Sequence, residues 1–231
     1  MDNKAINKNM TTNTQDNQPK KQPDERGGIH LQGHIKIFDP VTKEVFVDKR
    51  NAIHYENFSY ALANSVANKN YAGSGVKFIS EMHFGNGGTT VDPTGVITYL
   101  PTNTNVANAD LYNPTYFKIV DDTNVANTDP VNNKMVVNHT PGLKYTDIVV
   151  SCLLDYGEPS GQAVFDNSQT LNGDYVFDEL GLFGYLEGES GLGAGLPLLT
   201  HVIFSPVQKA LNRLIQIEYT VRVQTLTNLT A

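Results

Sequence analysis

The clearest pattern in the chain lies near its end, where Ile215, Ile217, Tyr219, Val221 and Val223 alternate with Gln216, Glu218, Thr220, Arg222 and Gln224. Period-two alternation puts the apolar side chains on one face, so this run predicts a half-buried antiparallel strand. The same pattern recurs earlier: Ile35 and Ile37, then Val45 and Val47, are separated by "DPVTKE", whose Asp-Pro start favours a turn. These two runs predict a β-hairpin. Helical spacing occurs in "HYENFSYALANSVANK", where Phe58, Leu62, Ser65 and Val66 fall three and four residues apart beside Ala61. An amphipathic helix over about Tyr55 to Asn68 is expected.

"GVKFISEMHFGNGGTT" predicts a strand over Val76 to Phe84 ending at a flexible "GNGG". "KMVVNH", "YTDIVVSCLLDY", "DYVFDELGLFGY" and "LPLLTHVIFSP" predict further strands. From Thr89 to Asn133 apolar residues are sparse and turn formers dense, which predicts a long surface excursion with one short strand, "TYFKIV". "TNVAN" occurs twice there, at Thr104 to Asn108 and Thr123 to Asn127, but a solenoid needs about three stacked units. Long loops of this kind are usually functional or order against a partner. Many strands with a single helix predict a mainly β chain: an antiparallel β-sandwich over residues 29–231 with one amphipathic helix.

Residues 1–28 carry only Ile6 and two methionines as large apolar side chains, so alone they cannot offset their ordering entropy. The segment reads either as a floppy tail or as an extended N-terminal assembly arm that orders against neighbouring subunits.

At 231 residues with 39% apolar composition, the chain can bury a core without staples. Its net charge of -7 argues against nucleic acid as a partner, because such binding relies on clustered Lys and Arg. Cys152 stands alone, which excludes an internal disulfide and a multi-cysteine zinc site; its apolar surroundings predict a buried, inert thiol. No apolar stretch approaches the roughly 20 residues of a membrane-spanning helix, and the first residues lack a secretory signal pattern, so synthesis and retention in a cytosol are expected.

Tests for chemistry assign no catalytic, cofactor-binding or metal-binding residue. Gly188, Gly191, Gly193 and Gly195 crowd the stretch "YLEGESGLGAGLPLL", yet Leu196 and Pro197 stand where a phosphate loop needs Lys and a hydroxyl, and a strand rather than a helix follows. A compliant hairpin loop is expected. His30 and His34 are flanked by glycines with no helix to align them, and His54, His83, His139 and His201 fall on four different segments. Ser74 lacks the nucleophile-elbow context. Asp178 and Glu179 adjoin on a strand, which places them on opposite faces; the pair reads either as a rim or edge setting or as one carboxylate pointing inward to take a hydrogen bond or a charged partner, while Asp155 and Glu158 flank a turn and read as solvated. A carbohydrate-binding alternative would use loop tyrosines such as Tyr99, Tyr112 and Tyr116.

The segments "RNAIHYENFSYALANSVAN" and "FISEMHFGNGGTTVDP", followed by "FDELGLFGYLEGESGLGAG" and "LLTHVIFSPVQKALNRLIQIEYTVRVQ", together resemble a group of bacteriophage virion proteins from tails, baseplates and fibre-attachment points. The likeness spans Ile35 to Gln224, and the Thr89 to Asn133 excursion departs from the compact pattern of the group. It implies a non-enzymatic structural component of the tail, neck or baseplate, assembled in a host bacterial cytoplasm. Its implied partners are other virion proteins and copies of itself. A receptor- or carbohydrate-binding sandwich and a capsid decoration protein are the alternative expectations.

Overall fold

Strand pairing is organised around the alternating run near the chain's end. That run is β12 (Ile215–Thr227), which pairs antiparallel with β1 (Gly27–Phe38) on one side and β9 (Tyr145–Leu154) on the other. β2 (Val45–Arg50) and β8 (Lys134–His139) complete a first sheet in the order β2-β1-β12-β9-β8. This computed structural model describes residues 27–67, 78–106, 108–159 and 174–227. Residues 1–26 of the expected arm, Val76 and Ser74 lie outside the described residues. Gly27 and Gly28, assigned to the arm from sequence, instead open β1 by pairing with Thr227 and Leu226.

The second sheet has the order β3-β11-β10-β4-β7, formed by β3 (Ala52–Ile53), β11 (Leu198–Ala210), β10 (Asp174–Gly184), β4 (Ile79–Gly85) and β7 (Pro114–Ile119). Ile35, Ile37, Val150, Cys152, Tyr219 and Val221 from the first sheet meet Met82, Phe84, Leu180, Leu182, Val202 and Phe204 from the second in one buried cluster. The chain is thus mainly β and antiparallel, with two stacked sheets and one helix, as its patterning predicts. Cys152 lies wholly inside this cluster, and burial pushes its thiol up to about 12, so it holds no thiolate at neutral pH.

The helix α1 (Tyr55–Ala67) begins where His54 caps it: the Asn57 N–H donates to His54 Nδ1 at 3.3 Å, while His54 Nε2 donates to the Val106 carbonyl at 2.7 Å. Its buried face comprises Asn57, Phe58, Ala61 and Asn64. Val66, expected on that face, is 87% exposed. The face is rotated toward Asn57 because that amide donates to the Leu198 carbonyl at 2.8 Å, fixing which side meets β11.

The Thr89 to Asn133 segment departs most from expectation. It contains three strands rather than one: the hairpin of β5 (Thr89–Val91) and β6 (Ile97–Tyr99), then β7. Ala109 and Leu111 from this segment pack with Phe183, Leu196 and Leu198 in a second buried cluster. Phe183 alternates with Leu182, which points into the main core, so this cluster lies on the other face of the second sheet. The excursion and the glycine loop therefore form a third layer over that sheet. Sparse apolar residues hid this role, because a few buried side chains and many backbone hydrogen bonds hold the layer in place.

Candidate functional site

The most concentrated chemistry in the molecule sits under that third layer. β4 carries Glu81 and His83 on its outer face, and β11 carries His201 on the same face. Gly181 of β10 pairs with His83 on one side and with His201 on the other. A side chain at 181 would meet the Thr200 carbonyl at 2.6 Å and Leu198 at 2.7 Å, so glycine is what lets this row close.

Each histidine has its own glutamate. His83 Nε2 lies 2.7 Å from Glu81 Oε2, and the imidazole stacks on Phe183 with ring centroids 4.0 Å apart. The other Glu81 oxygen accepts from Ser190 Oγ at 2.6 Å, and the Gly191 N–H also points at this carboxylate. His201 Nε2 lies 3.0 Å from Glu179 Oε2, and its Nδ1 accepts the Asn103 N–H at 2.8 Å. Accepting at Nδ1 leaves the proton on Nε2, so the network selects the tautomer that donates to Glu179. Glu179 takes three more backbone donors, from Gly87, Tyr112 and Asn113.

These partners decide the ionisation of both glutamates. Burial opposes the charged form of Glu179, but hydrogen bonds from His201, Asn113 and Tyr112 outweigh it and hold its pKa below the ordinary value. Glu81 behaves alike: burial raises it, while His83, Ser190 and Gly191 bring it lower. Asp178 goes the other way. Burial dominates there over hydrogen bonds from Thr89 and Gly88, and its pKa is raised.

The rim reading of Asp178 and Glu179 is overturned, as is their placement on opposite faces. Phe177 and Leu180 both point into the main core, leaving two residues between them where strict alternation allows one. A bulge in the β10–β11 pairing falls between Phe177 and Glu179, and it turns both carboxylates to the outer side. There Asp178 accepts the N–H groups of Gly88 and Thr89 at 2.9 and 2.8 Å, together with the Thr89 hydroxyl. Two adjacent buried carboxylates thus hold the "GNGG" turn, which sequence alone reads only as flexible.

Geometry also revises the glycine loop after β10. Ser190 and Gly191 are tied to Glu81, and a side chain at Gly191 would meet the Phe117 ring at 3.1 Å. Gly188, Gly193 and Gly195 have open space around them, so Gly191 is the packed glycine of this loop. Gly188, Gly191, Gly193 and Gly195 all adopt positive φ, the backbone state that favours glycine.

A smaller polar cluster lies at the edge of β7. Lys118 Nζ pairs with Glu158 at 2.6 Å and donates to the Leu153 carbonyl, so Glu158 is an ion-pair partner rather than a solvated residue. Asp155 is exposed as expected, and its carbonyl accepts from the buried Lys209, which also donates to the Ala210 carbonyl. Burial lowers Lys209 to about 8, against the raising influence of Glu158 and Asp155.

The six histidines do not converge. His34 pairs with Asp48, His30 contacts Gln32, His139 contacts Thr146, and the other three are fixed as described. Among the described residues no group of three or more His, Cys, Asp or Glu side chains is placed to hold a metal ion. The buried Glu–His pairs resemble acid–base dyads in composition, but Glu179 and His201 have no exposed surface and their hydrogen-bonding atoms face internal partners. Their contacts tie the covering loops to the sheet. The spacing Glu-x-His in "SEMHF" was the available sequence signal, since residues two apart on a strand share a face.

Of the three loop tyrosines, Tyr99 and Tyr112 are exposed, with hydroxyls on Ser205 and on the Pro101 carbonyl. Tyr116 is half-buried against Phe84, and burial raises its phenol, so it does not present a sugar-stacking face.

On the first sheet, the outermost strand β8 exposes Val136 and Val137. Beside Val137 lies an apolar groove of about 280 Å³, bounded by Leu62 of α1, Phe78, Met135 and Ile148. No described helix is long and apolar enough to cross a membrane. Comparison of the chain with protein-family models, curated proteins and solved structures finds no match.

Proposed function

We propose that this chain is a non-enzymatic structural component of a bacteriophage virion, of the tail, neck or baseplate, which joins neighbouring subunits or attaches fibres. One observation carries the reading: among the described residues β8 is an uncovered sheet edge bearing exposed Val136 and Val137 beside the apolar groove with Phe78. Long apolar edges invite pairing with other chains, and a monomer normally blunts them with charge, proline or a covering element. The sequence resemblance supplies the setting. The buried carboxylates support it from another side, since they fix a rigid loop layer suited to a repeated contact surface.

In particles of the phage that encodes the chain, deletion of residues 1–26 is expected to leave the fold and thermal midpoint unchanged while reducing incorporation. Incorporation is read by quantitative mass spectrometry of purified particles after separation of heads and tails. Equal incorporation of truncated and full-length chains would remove the arm from the mechanism, and recovery with heads would favour capsid decoration over the tail assignment.

A further inference from the structure

The first sheet has a second open edge, inside the molecule's own strand order. β2 runs beside β1 only as far as Asn51, whose N–H donates to the Gly33 carbonyl at 3.2 Å. The next two residues leave for the second sheet as β3, pairing with His201 and Thr200. β1 continues without them from Gln32 back to Gly27, still paired with β12 on its other side. A strand's worth of track beside β1 is therefore vacated.

Backbone direction shows what faces that track. In an antiparallel ladder the hydrogen-bonding groups of alternate residues point to the same side. Ile29 and Leu31 share the parity of Gly33, so their N–H and C=O groups point away from β12 into the vacated track. Among the described residues neither is bonded there. Ile29 has the inward parity of Leu31 and Ile35 but remains 61% exposed, because no described residue covers the core face at this end.

The space is shaped. A cleft of about 390 Å³ lies along this edge, lined by Leu31, Gly33, Asn51, Ile53, Tyr55 and Asn105. Asn51 Oδ1 is buried at it with no hydrogen-bond partner. A side chain at Gly33 would come within 1.6 Å of that oxygen, so glycine is required for Asn51 to reach this position. An unsatisfied buried acceptor beside open strand groups fits an incoming backbone or amide donor.

The chain itself contains a suitable segment. Within residues 1–26, the run Asn9–Thr14, "NMTTNT", is free of charge and proline, and threonine favours strands. Met10 supplies an adaptable apolar side chain for the Leu31–Ile53 wall. Residues 15–26 can span roughly 40 Å. Gln18 and Gln22 each precede a proline, which biases these positions to extended backbone and favours a long reach toward a neighbouring copy.

We propose that residues Asn9–Thr14 of one copy add as a strand to β1 of a neighbouring copy along Ile29–Gly33, continuing the track that β2 leaves. The inference rests on the assembly reading above and names its contact. The vacated track would then pair Ile29 and Leu31, supply a donor to Asn51 and cover Ile29.

The test is disulfide trapping in the full-length chain. Cys152 does not interfere, being buried with its thiol pushed up to about 12. Copies bearing one tag and Thr12→Cys are mixed with copies bearing a second tag and Ile29→Cys, then oxidised mildly. Ile29 is exposed, and circular dichroism of each variant checks its fold. Mixed-tag disulfides are expected with Ile29→Cys but not with a control Val131→Cys at an exposed site elsewhere, and adding Thr11→Pro to the arm should abolish them. Trapping no greater than the control overturns the site. Trapping only within one copy, when both cysteines share a chain, overturns the neighbour as occupant. If trapping fails while the chain still sediments as an oligomer or enters particles, this contact falls and the assembly reading stands; a chain that does neither loses both.

Discussion

Glu179 is the residue on which most of the third layer depends. Its carboxylate collects His201 and the backbone of Gly87, Tyr112 and Asn113, so one side chain ties β10 to two loops and to β11. Removing one member of a buried pair leaves the other uncompensated, a cost of about 3–5 kcal/mol. The conservative change is more informative about charge. Glu81 and Glu179 both have folded pKa values below the ordinary 4.5, so their contribution is fully present above that value and is lost as pH falls through the lower folded values. Asp178 is raised from 3.8, so its protonation favours the folded state as pH falls and partly opposes the loss. Urea midpoints across the acid range should therefore fall less steeply in Glu81→Gln and Glu179→Gln, and more steeply in Asp178→Asn. An unchanged acid limb in all three would show that other groups set it.

Lys209 makes the corresponding case at alkaline pH. Its folded pKa of about 8 lies below the ordinary 10.5, so the buried ammonium penalises the fold in full below pH 8. Stability should rise between pH 8 and 10.5 as the folded state sheds the proton first. Lys209→Met should remove that rise, measured as the difference in urea midpoint at the two ends of the range. A rise that persists in the variant would assign it to another group.

At the scale of elements, the glycine loop between β10 and β11 shows how a nominally flexible connection becomes fixed at one point. Gly191 combines positive φ, a close approach to Phe117 and an N–H directed at Glu81. Gly191→Ala should destabilise the protein by about 1–3 kcal/mol, from the strained φ and the overpacked ring. Hydrogen exchange should accelerate at Ser190 and Gly191 before it changes in the strands. Equal exchange in variant and parent would mean that the anchor does not limit the loop.

Element patterns also explain what could be read in advance. β12 was legible because its outer face is polar and its inner face apolar, giving an unbroken period of two. Within "ISEMHFG" the stretch Glu81 to Phe84 alternates in the same way, yet all of β4 is buried. Glu81, paired with His83, faces Ser190 and Gly191 of the glycine loop, whose own sequence lacks periodicity. Periodicity reports the polarity of a face and not its exposure. Buried ion-paired groups therefore read as surface until the cover is seen. The bulge at Asp178 was hidden for a related reason, since "FDEL" has one polar residue more than alternation permits and either face could have taken it.

At the scale of the molecule, the order of strands interleaves the sheets. The chain lays down β1 and β2 in the first, β3, β4 and β7 in the second, returns for β8 and β9, crosses again for β10 and β11, and finishes with β12. Neither sheet is a contiguous piece of sequence, so the sandwich should unfold as one cooperative unit, and pairings such as Gly27 with Thr227 place its halves far apart along the chain. Removal of residues 1–26 touches none of these described ladders, which is why the truncation tests incorporation apart from folding.

The position of β12 bears on how the protein is made. It is the last described strand in chain order, yet it occupies the centre of the first sheet with a partner on each side. Until residues 215–227 emerge, β1 and β9 have no common strand between them and the apolar side chains of both remain without their main cover. Synthesis at about 5–20 residues per second leaves that surface waiting for seconds. Completion of the sheet therefore waits on residues 215–227, and any chaperone that protects the nascent chain must hold it until they emerge.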